Sequence, residues 1–200
     1  MLGLLTGVVA SGCAPHPVNT THPPQLTCAD CRAALPVNGW CTVCEIGYVA
    51  AVRIRSHLMH EMLDAHGHDI TDWTHDCLDC AERIETDGFC SLCGFGFVDG
   101  KLYFTALTWS LGLGSVIDLA ANDCAVCRDR SAGSWWCDEC RRGIVGNVAF
   151  TDEKKFERAQ TEYRRLVAAL TSLERCEACA ISQFQGIECP DCRARERAGE

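Results

Sequence analysis

Positive charge is scarce in this 200-residue sequence, which has 18 Lys and Arg residues against 27 Asp and Glu residues and a net charge of −9. Proteins that bind nucleic acid normally carry a basic surface that displaces counterions from the phosphates. The overall charge therefore argues against a nucleic-acid partner. Only residues 124–175 contain more basic than acidic residues. Binding of DNA or RNA through Arg128, Arg130, Arg141 and Arg142 is the weaker alternative that this segment leaves open.

Motifs of the common catalytic classes are missing as well. The chain has no HExxH zinc-protease motif, no glycine-rich phosphate loop and no nucleophile elbow. None of its Cys-x2-Cys pairs is followed by His, which argues against covalent haem attachment. Its acidic residues are scattered and form no recognisable acid–base pair. The sequence therefore predicts a protein that is not an enzyme.

The first twelve residues lack charge, and this apolar start is too short to span a bilayer. It also lacks the basic residues that begin a secretory signal. Residues 10–13 nevertheless resemble the cleavage site of a bacterial lipoprotein signal, in which Cys13 is lipidated and anchors the protein to a membrane. Residues 14–27 hold four prolines and no charge, which predicts an extended tether. Lipidation predicts a location in the bacterial cell envelope; a hydrophobic N-terminus without lipid is the alternative and predicts the cytoplasm.

Cysteine, in contrast, is abundant, with 17 residues in the chain. Sixteen of them form four sets with the spacing C-x2-C-x9-C-x2-C, and the first cysteines of successive sets are 49, 47 and 52 residues apart. Each C-x2-C pair makes a tight turn that points two sulfurs at one position, and two such turns supply the four thiolates that tetrahedral zinc prefers. The predicted metal ligands are Cys28, Cys31, Cys41, Cys44, Cys77, Cys80, Cys90, Cys93, Cys124, Cys127, Cys137, Cys140, Cys176, Cys179, Cys189 and Cys192.

This spacing resembles that of zinc-ribbon, or rubredoxin-like, proteins over residues 28–44, 77–93, 124–140 and 176–192. The resemblance implies one Zn2+ for each cysteine set, four in all, and iron in the same ligand set is the alternative metal. Disulfides are the alternative to metal, although a disulfide within C-x2-C is usually redox-active rather than structural. A site closed by four cysteines leaves no position open for a catalytic water.

The nine residues between the two cysteine pairs must reverse the chain. Asn38-Gly39 and Asp87-Gly88 lie in the later part of this span, and both dipeptides favour the turn of a β-hairpin. An aromatic residue directly precedes the third cysteine in three sets and is expected to cover one side of the metal: Trp40, Phe89 and Trp136.

The repeat continues beyond each metal site with a predicted second hairpin and a helix. Ser56, Thr105 and Thr151 stand where helix N-caps are expected. The sequence therefore predicts a small metal-dominated α+β fold, a tandem array of four zinc ribbons joined by α-helices. The predicted segments are a signal and tether at 1–27, three ribbons with their helices at 28–76, 77–123 and 124–175, and a fourth ribbon with a tail at 176–200.

The linkers differ in their patterns. The third predicts an amphipathic helix, because apolar residues recur at spacings of three and four; they are Phe156, Ala159, Tyr163, Leu166, Leu170 and Leu173. This stripe predicts packing on neighbouring ribbons, with a coiled-coil dimer as the alternative. The second linker, residues 105–121, is apolar nearly all round, which predicts burial between repeats. A membrane span is the weaker alternative there, because the run is short and contains Gly112 and Gly114.

The first linker is rich in histidine and carries a candidate second metal site for copper, nickel or zinc. Its candidate ligands are His57, His60, His66 and His68. His57 and His60 are three residues apart and share a face if the segment is helical, with Glu61 and Asp64 close by. Solvated polar residues on a surface helix are the alternative interpretation.

Two functions are compatible with these features. The leading prediction is a non-enzymatic zinc-binding scaffold that mediates protein–protein interaction with an unknown partner. The alternative is metal handling as a zinc or copper buffer, chaperone or sensor, in which the four-cysteine sites or the histidine-rich linker at residues 57–75 exchange metal.

Overall fold

The computed structural model describes residues 26–70, 76–130, 133–173, 177–190 and 192. Cys13, the tether and Cys176 lie outside the described residues. The chain is a small α+β protein with short antiparallel sheets, as predicted. The described residues divide into two compact units, one ending at Ala168 and the other beginning at Ala169.

The larger unit contains three copies of one arrangement: a short helix, a short strand, a two-stranded hairpin and a linker helix. The first copy and its linker comprise α1 Ala29–Ala34, β1 Trp40–Cys41, β2 Ile46–Val49, β3 Val52–Ile54, α2 His57–Leu63 and β4 His68–Asp69. The second comprises α3 Leu78–Glu85, β5 Phe89–Cys90, β6 Phe95–Val98, β7 Lys101–Tyr103, α4 Ala106–Gly112 and β8 Ser115–Val116. The third comprises α5 Ala125–Arg128, β9 Ser134–Cys137, β10 Arg142–Val145, β11 Val148–Phe150 and α6 Glu153–Ser172, which continues into the smaller unit.

The span between the two cysteine pairs of the first and second copies begins as a helix, which corrects the predicted hairpin. Asn38 and Asp87 lie beyond this helix with left-handed φ values of 53° and 51°. Asn and Asp tolerate this conformation both in hairpin turns and after helices, so the dipeptide signal did not distinguish the two. The next residue closes the helix end in both copies, because the N–H of Gly39 donates to Ala34 and that of Gly88 to Arg83.

The predicted second hairpins are present in all three copies. In the first, β2 and β3 are joined by Ala50 and Ala51, both with positive φ values of 48° and 60°. The Asn38 side chain accepts a hydrogen bond from the N–H of Ala50 at 2.9 Å. Asp87 accepts one from the N–H of Asp99 in the second copy, also at 2.9 Å. A polar side chain after the short helix therefore holds the hairpin turn in both copies.

Each of the first two linkers adds a strand to the sheet of the next copy. The strand β4 pairs with β7, which gives the order β4-β7-β6-β5, and β8 pairs with β11, which gives β8-β11-β10-β9. The hairpin turns of the first and third copies also touch, because a Cβ on Gly146 would overlap the backbone of Ala50. The three copies are therefore joined by strand pairing and by direct contact between hairpin turns.

The linker helix of each copy places a ring against a glycine of the sheet. His60, Trp109 and Phe156 each follow the helix-capping residue by four positions, and a Cβ on Gly47, Gly96 or Gly143 would overlap the corresponding ring. Ser56 and Thr105 cap the first two helices as predicted. The third helix is capped by Asp152 rather than Thr151, because Asp152 Oδ1 accepts from the N–H of Lys155 at 2.8 Å. A carboxylate at a helix N-terminus is favoured by the helix dipole.

The third linker forms the predicted amphipathic helix, and its apolar stripe is buried; the stripe comprises Phe156, Ala159, Tyr163, Leu166, Leu170 and Leu173. The second linker is helical only over α4, which is mostly buried. None of the helices among the described residues is long and apolar enough to cross a membrane.

The described part of the smaller unit contains the end of α6 and the helix α7 Glu177–Gln185. The chain leaves α7 through Gly186, at φ 74°, and Ile187 donates to the carbonyl of Ser182 at 2.9 Å. These two residues occupy the positions in the cysteine spacing that Asn38 and Gly39 occupy in the first copy. The fourth repeat therefore ends its short helix in the same way.

Candidate metal centres

The structure brings the cysteines of each set together. Three sets are complete among the described residues, and in each the four sulfurs lie within 4.8 Å of one another. The fourth set is represented by Cys179, Cys189 and Cys192, which meet the same limit. None of the cysteines that the structure describes forms a disulfide.

Sulfur–sulfur distances provide a test of whether these clusters fit a metal. The Cys28–Cys41 and Cys77–Cys90 pairs are each separated by 3.9 Å, Cys124–Cys137 by 3.8 Å and Cys127–Cys140 by 3.6 Å. Four thiolates at 2.3 Å from one tetrahedral ion are about 3.8 Å apart. The three complete clusters are therefore spaced for a metal ion, whereas Cys179 and Cys192 of the fourth set are 3.2 Å apart. A disulfide requires sulfurs about 2.05 Å apart.

The first cysteine pair of each complete set is built on the start of a helix. Cys28, Cys77 and Cys124 are the N-cap residues of α1, α3 and α5, with extended backbones. The second cysteine of each pair then lies within the first helical turn and is buried. Helical geometry brings residues three apart onto one face, so both sulfurs point at the same position.

In the three complete sets, the second cysteine pair is a turn between two strands. Its first cysteine ends a strand, and the N–H of Cys44 donates to Cys41 Sγ at 3.4 Å. The residue after the fourth cysteine has a positive φ in all three copies: 53° at Glu45, 75° at Gly94 and 54° at Arg141. Only Gly94 adopts this conformation without steric cost. The other two turns have the same geometry although Glu45 and Arg141 carry side chains.

The cysteines make up half of each small core. The core clusters are Cys31, Ala34, Cys41 and Tyr48 in the first copy, Cys80, Cys90, Phe97 and Leu102 in the second, and Cys127, Cys137, Ile144 and Ala149 in the third. Partly buried apolar side chains pack against each cluster, and small cores of this kind are commonly reinforced by metals or cross-links. An ion held by four such cysteines would couple metal binding to folding.

The environment of the thiols favours ionisation of one sulfur in each complete cluster. Backbone N–H groups lower the pKa of the Cys28, Cys77 and Cys137 thiols to about 7, and the largest contributions come from Cys31, Cys80 and Cys140 respectively. Burial raises the pKa of Cys80 and Cys127 above the ordinary value. A cation is needed before all four sulfurs can be thiolates at these distances.

The aromatic residues before the third cysteines face the linker helices, which corrects the expectation that they cover the metal. The ring centroids of Trp40 and His60 are 5.4 Å apart, and those of Phe89 and Trp109 are 5.1 Å apart. Trp136 contacts Phe156 at 5.7 Å. Successive side chains of a strand point to opposite faces of the sheet, so a residue next to an inward cysteine must face away from the metal.

The four histidines of the first linker are divided between two environments. His60 Nε2 donates to the carbonyl oxygen of Asn38 at 2.9 Å while its ring covers Gly47. His57 is exposed, contacts Trp40 edge-on, and lies 3.6 Å from Glu61. His66 and His68 instead meet at a separate position, beyond the end of α2.

Asp64 lies beside His66 and His68 and completes this group of three. The predicted ligand set contained only histidines. The two carboxylate oxygens of Asp64 lie 3.3 Å from His66 Nε2 and 2.7 Å from His68 Nε2. The three ligand atoms lie within 4.8 Å of one another. The signal that could have found this group is the alternating run Asp64-Ala65-His66-Gly67-His68, because alternate residues of an extended segment share a side.

No family model, curated protein or solved structure matches this chain. The functional conclusions therefore rest on the geometry of the chain itself. That geometry supports cysteine clusters that bind metal ions.

Proposed function

We propose that this protein is a non-enzymatic scaffold in which four zinc ions hold zinc-ribbon-like repeats and the surfaces of those repeats bind a protein partner. The observation that carries this proposal is the closed cluster of four sulfurs at tetrahedral spacing, found three times among the described residues. Each such ion has all its positions filled by the chain, so it stabilises structure and leaves no site for a substrate. Zinc is proposed over iron because it is the usual ion of closed four-cysteine sites.

Exposed apolar side chains beside the second cluster support a protein partner. Leu78 is 87% exposed and Leu92 is 81% exposed. Both lie inside a C-x2-C pair of the same cluster, and Val43, inside the corresponding pair of the first copy, is 70% exposed. Apolar residues presented at rigid metal-bound turns are suited to contact another protein, because their backbone is already ordered.

Metal handling is the second candidate function, and the exposure of individual ligands favours it. Cys44 and Cys192 are exposed, whereas Cys31, Cys80 and Cys127 are buried. An exposed thiolate is accessible to a chelator or to an acceptor protein, so the first and fourth clusters are the candidates for metal exchange.

Elemental analysis combined with chelator titration distinguishes the two functions. A scaffold is expected to contain about four zinc ions per chain and to release them only as it unfolds, because folding and binding are coupled. A carrier is expected to release zinc with its circular-dichroism spectrum largely unchanged. Purified protein with oxidised thiols and no metal would rule out both.

The partner surface requires a separate experiment. We expect wild-type protein, used as bait, to recover a specific partner that the Leu78→Ser/Leu92→Ser double variant loses. Leu58→Ser is the matched control, because Leu58 is also exposed but lies on α2 rather than beside a cluster. Equal recovery by wild type and the double variant, with zinc content unchanged, contradicts the proposed surface. If Cys13 is lipidated, this surface is presented at a membrane.

A further inference from the structure

A second type of metal-ligand group lies at the end of α2, outside the cysteine clusters. It consists of Asp64, His66 and His68, whose ligand atoms lie within 4.8 Å of one another. The group contains two imidazoles and one carboxylate and no sulfur. Its chemistry therefore differs from that of the four-cysteine sites, because imidazole and carboxylate ligands suit nickel, copper and zinc.

The backbone on both sides of this group is held in place. Asp64 is the C-cap of α2, with φ 42°, and its N–H donates to the carbonyl of His60. His68 lies in β4, where it pairs with Leu102 of the second copy. Between them, the carbonyl of Ala65 accepts a hydrogen bond from Asn38 Nδ2 at 3.2 Å. The connection is therefore fixed at its two ends and near its middle.

Side-chain contacts orient the imidazoles. The His66 and His68 rings are 5.0 Å apart, and the ring of Phe104 lies 5.0 Å from that of His68. Gly67 approaches Lys101 and Tyr103 so closely that a side chain there would meet them at 2.8 Å. Lys101 itself pairs with Asp69 at 3.1 Å, so its charge is directed to a different carboxylate.

The distances are close to those between neighbouring ligands of one ion, and each histidine lies beside a different oxygen of Asp64, the shorter contact being a hydrogen bond to His68. Ligands at 2.0–2.2 Å from a metal are separated by about 2.9 Å in octahedral and about 3.4 Å in tetrahedral geometry. The two Nε2–carboxylate distances are 2.7 Å and 3.3 Å. His66 is 71% exposed at its side chain and can adjust its rotamer without disturbing the core.

We propose that Asp64, His66 and His68 form a divalent transition-metal site for Ni2+, Cu2+ or Zn2+. Three ligands leave coordination positions open to water, in contrast to the closed cysteine sites. The imidazole and carboxylate ligands and the Irving–Williams order favour Cu2+ and Ni2+ over the other two-plus ions of the row. The proposal is independent of the protein partner proposed above.

Nickel titration of the zinc-loaded, untagged full-length protein tests the site. Isothermal titration calorimetry is expected to show one Ni2+ bound per chain, and elemental analysis to show that zinc is retained. His66→Ala/His68→Ala and Asp64→Asn are each expected to weaken Ni2+ binding at least tenfold. Asn tolerates the left-handed conformation at position 64, so this variant removes the charge while keeping the helix end.

His57→Ala is the matched control, because it removes an exposed histidine from the same linker without touching the group. Its Ni2+ affinity is expected to equal that of wild type. The site is disproved if the double variant binds Ni2+ as tightly as wild type, or if wild type binds none beyond the cysteine clusters. Unchanged zinc content and thermal midpoint of His66→Ala/His68→Ala show that loss of binding is not loss of folding.

Discussion

The first and second copies have the same backbone arrangement but place different side chains at its central contact. In the second copy the indole of Trp109 covers Gly96 and its Nε1 donates to the carbonyl of Phe97 at 3.2 Å. In the first copy the imidazole of His60 covers Gly47 and its Nε2 donates to the carbonyl of Asn38 at 2.9 Å. Both positions use a flat ring whose N–H satisfies a backbone acceptor.

This comparison explains part of the histidine content of the first linker. His60 takes the place of an aromatic core residue, and its donating nitrogen is already used. The histidines that lie beyond the helix have no counterpart in the second copy, where the chain after α4 forms β8 from Ser115 and Val116. A histidine-rich segment can therefore combine a packing residue with metal-ligand candidates, and only the spatial arrangement separates them.

The largest expected effect comes from removing a buried ligand in either copy. Cys31→Ser and Cys80→Ser are each expected to remove one zinc equivalent and to unfold the affected repeat, because structural zinc contributes about 10 kcal/mol or more to folding in small metal domains. Elemental analysis and circular dichroism measure both effects. Cys13→Ser, outside the repeats, should retain all the zinc. A Cys80→Ser protein with full zinc content contradicts the assignment of that ligand.

A smaller effect is expected from truncating the central ring. Trp109→Ala should lower the free energy of unfolding of the zinc-loaded protein by about 3–5 kcal/mol, as for other large buried aromatic residues. His60→Ala should cost less, on the order of 1–3 kcal/mol, because the imidazole buries less apolar surface and is only partly buried. Denaturant titration compares the two, and Glu61→Ala on the exposed face of α2 serves as control. Equal losses at positions 60 and 109 would contradict the inferred difference in buried apolar surface between the two rings.

The smallest effect concerns the side chains that hold the hairpin turns. Asp87→Asn should change the free energy of unfolding by no more than about 0.5 kcal/mol, since either side chain can accept the hydrogen bond from Asp99 N–H. Asn38→Asp should cost about 1 kcal/mol more, because the Asn38 amide also donates to Ala65 and a carboxylate cannot. Chemical denaturation of the two exchanged variants measures this asymmetry. Equal effects at both positions would contradict the second role of Asn38.

Much of the architecture was predictable from local patterns. The cysteine spacing predicted clusters that the structure confirms, because two C-x2-C turns can converge only over a short connection. The apolar stripe of the third linker predicted α6, in which Ala159 and Leu166 are fully buried. The second hairpins were also predicted, although the first turn uses Ala50 and Ala51, which no turn propensity favours.

Other features depended on contacts that local patterns do not contain. The dipeptides at Asn38 and Asp87 are compatible with either a hairpin or a helix end, and the convergence of the sulfurs selects the helix. The strands β4 and β8 are two residues long, and each exists because the next copy presents an unpaired sheet edge. A pattern within the linker cannot report a partner strand some thirty residues away.

The amino-acid sequence by itself determined the number of cysteine sets, the cysteines that cluster and the helix that ends the third copy, because these depend on spacings of a few residues. The tertiary structure alone decided which histidine packs in the core and which ones meet Asp64. His60 packs in the core because its ring lies against Gly47, and the pairing of β4 with β7 places His68 beside Asp64. The positions of Asp64, His66 and His68 depend on how β4 pairs with the second copy, so they become defined only when the two copies are folded together.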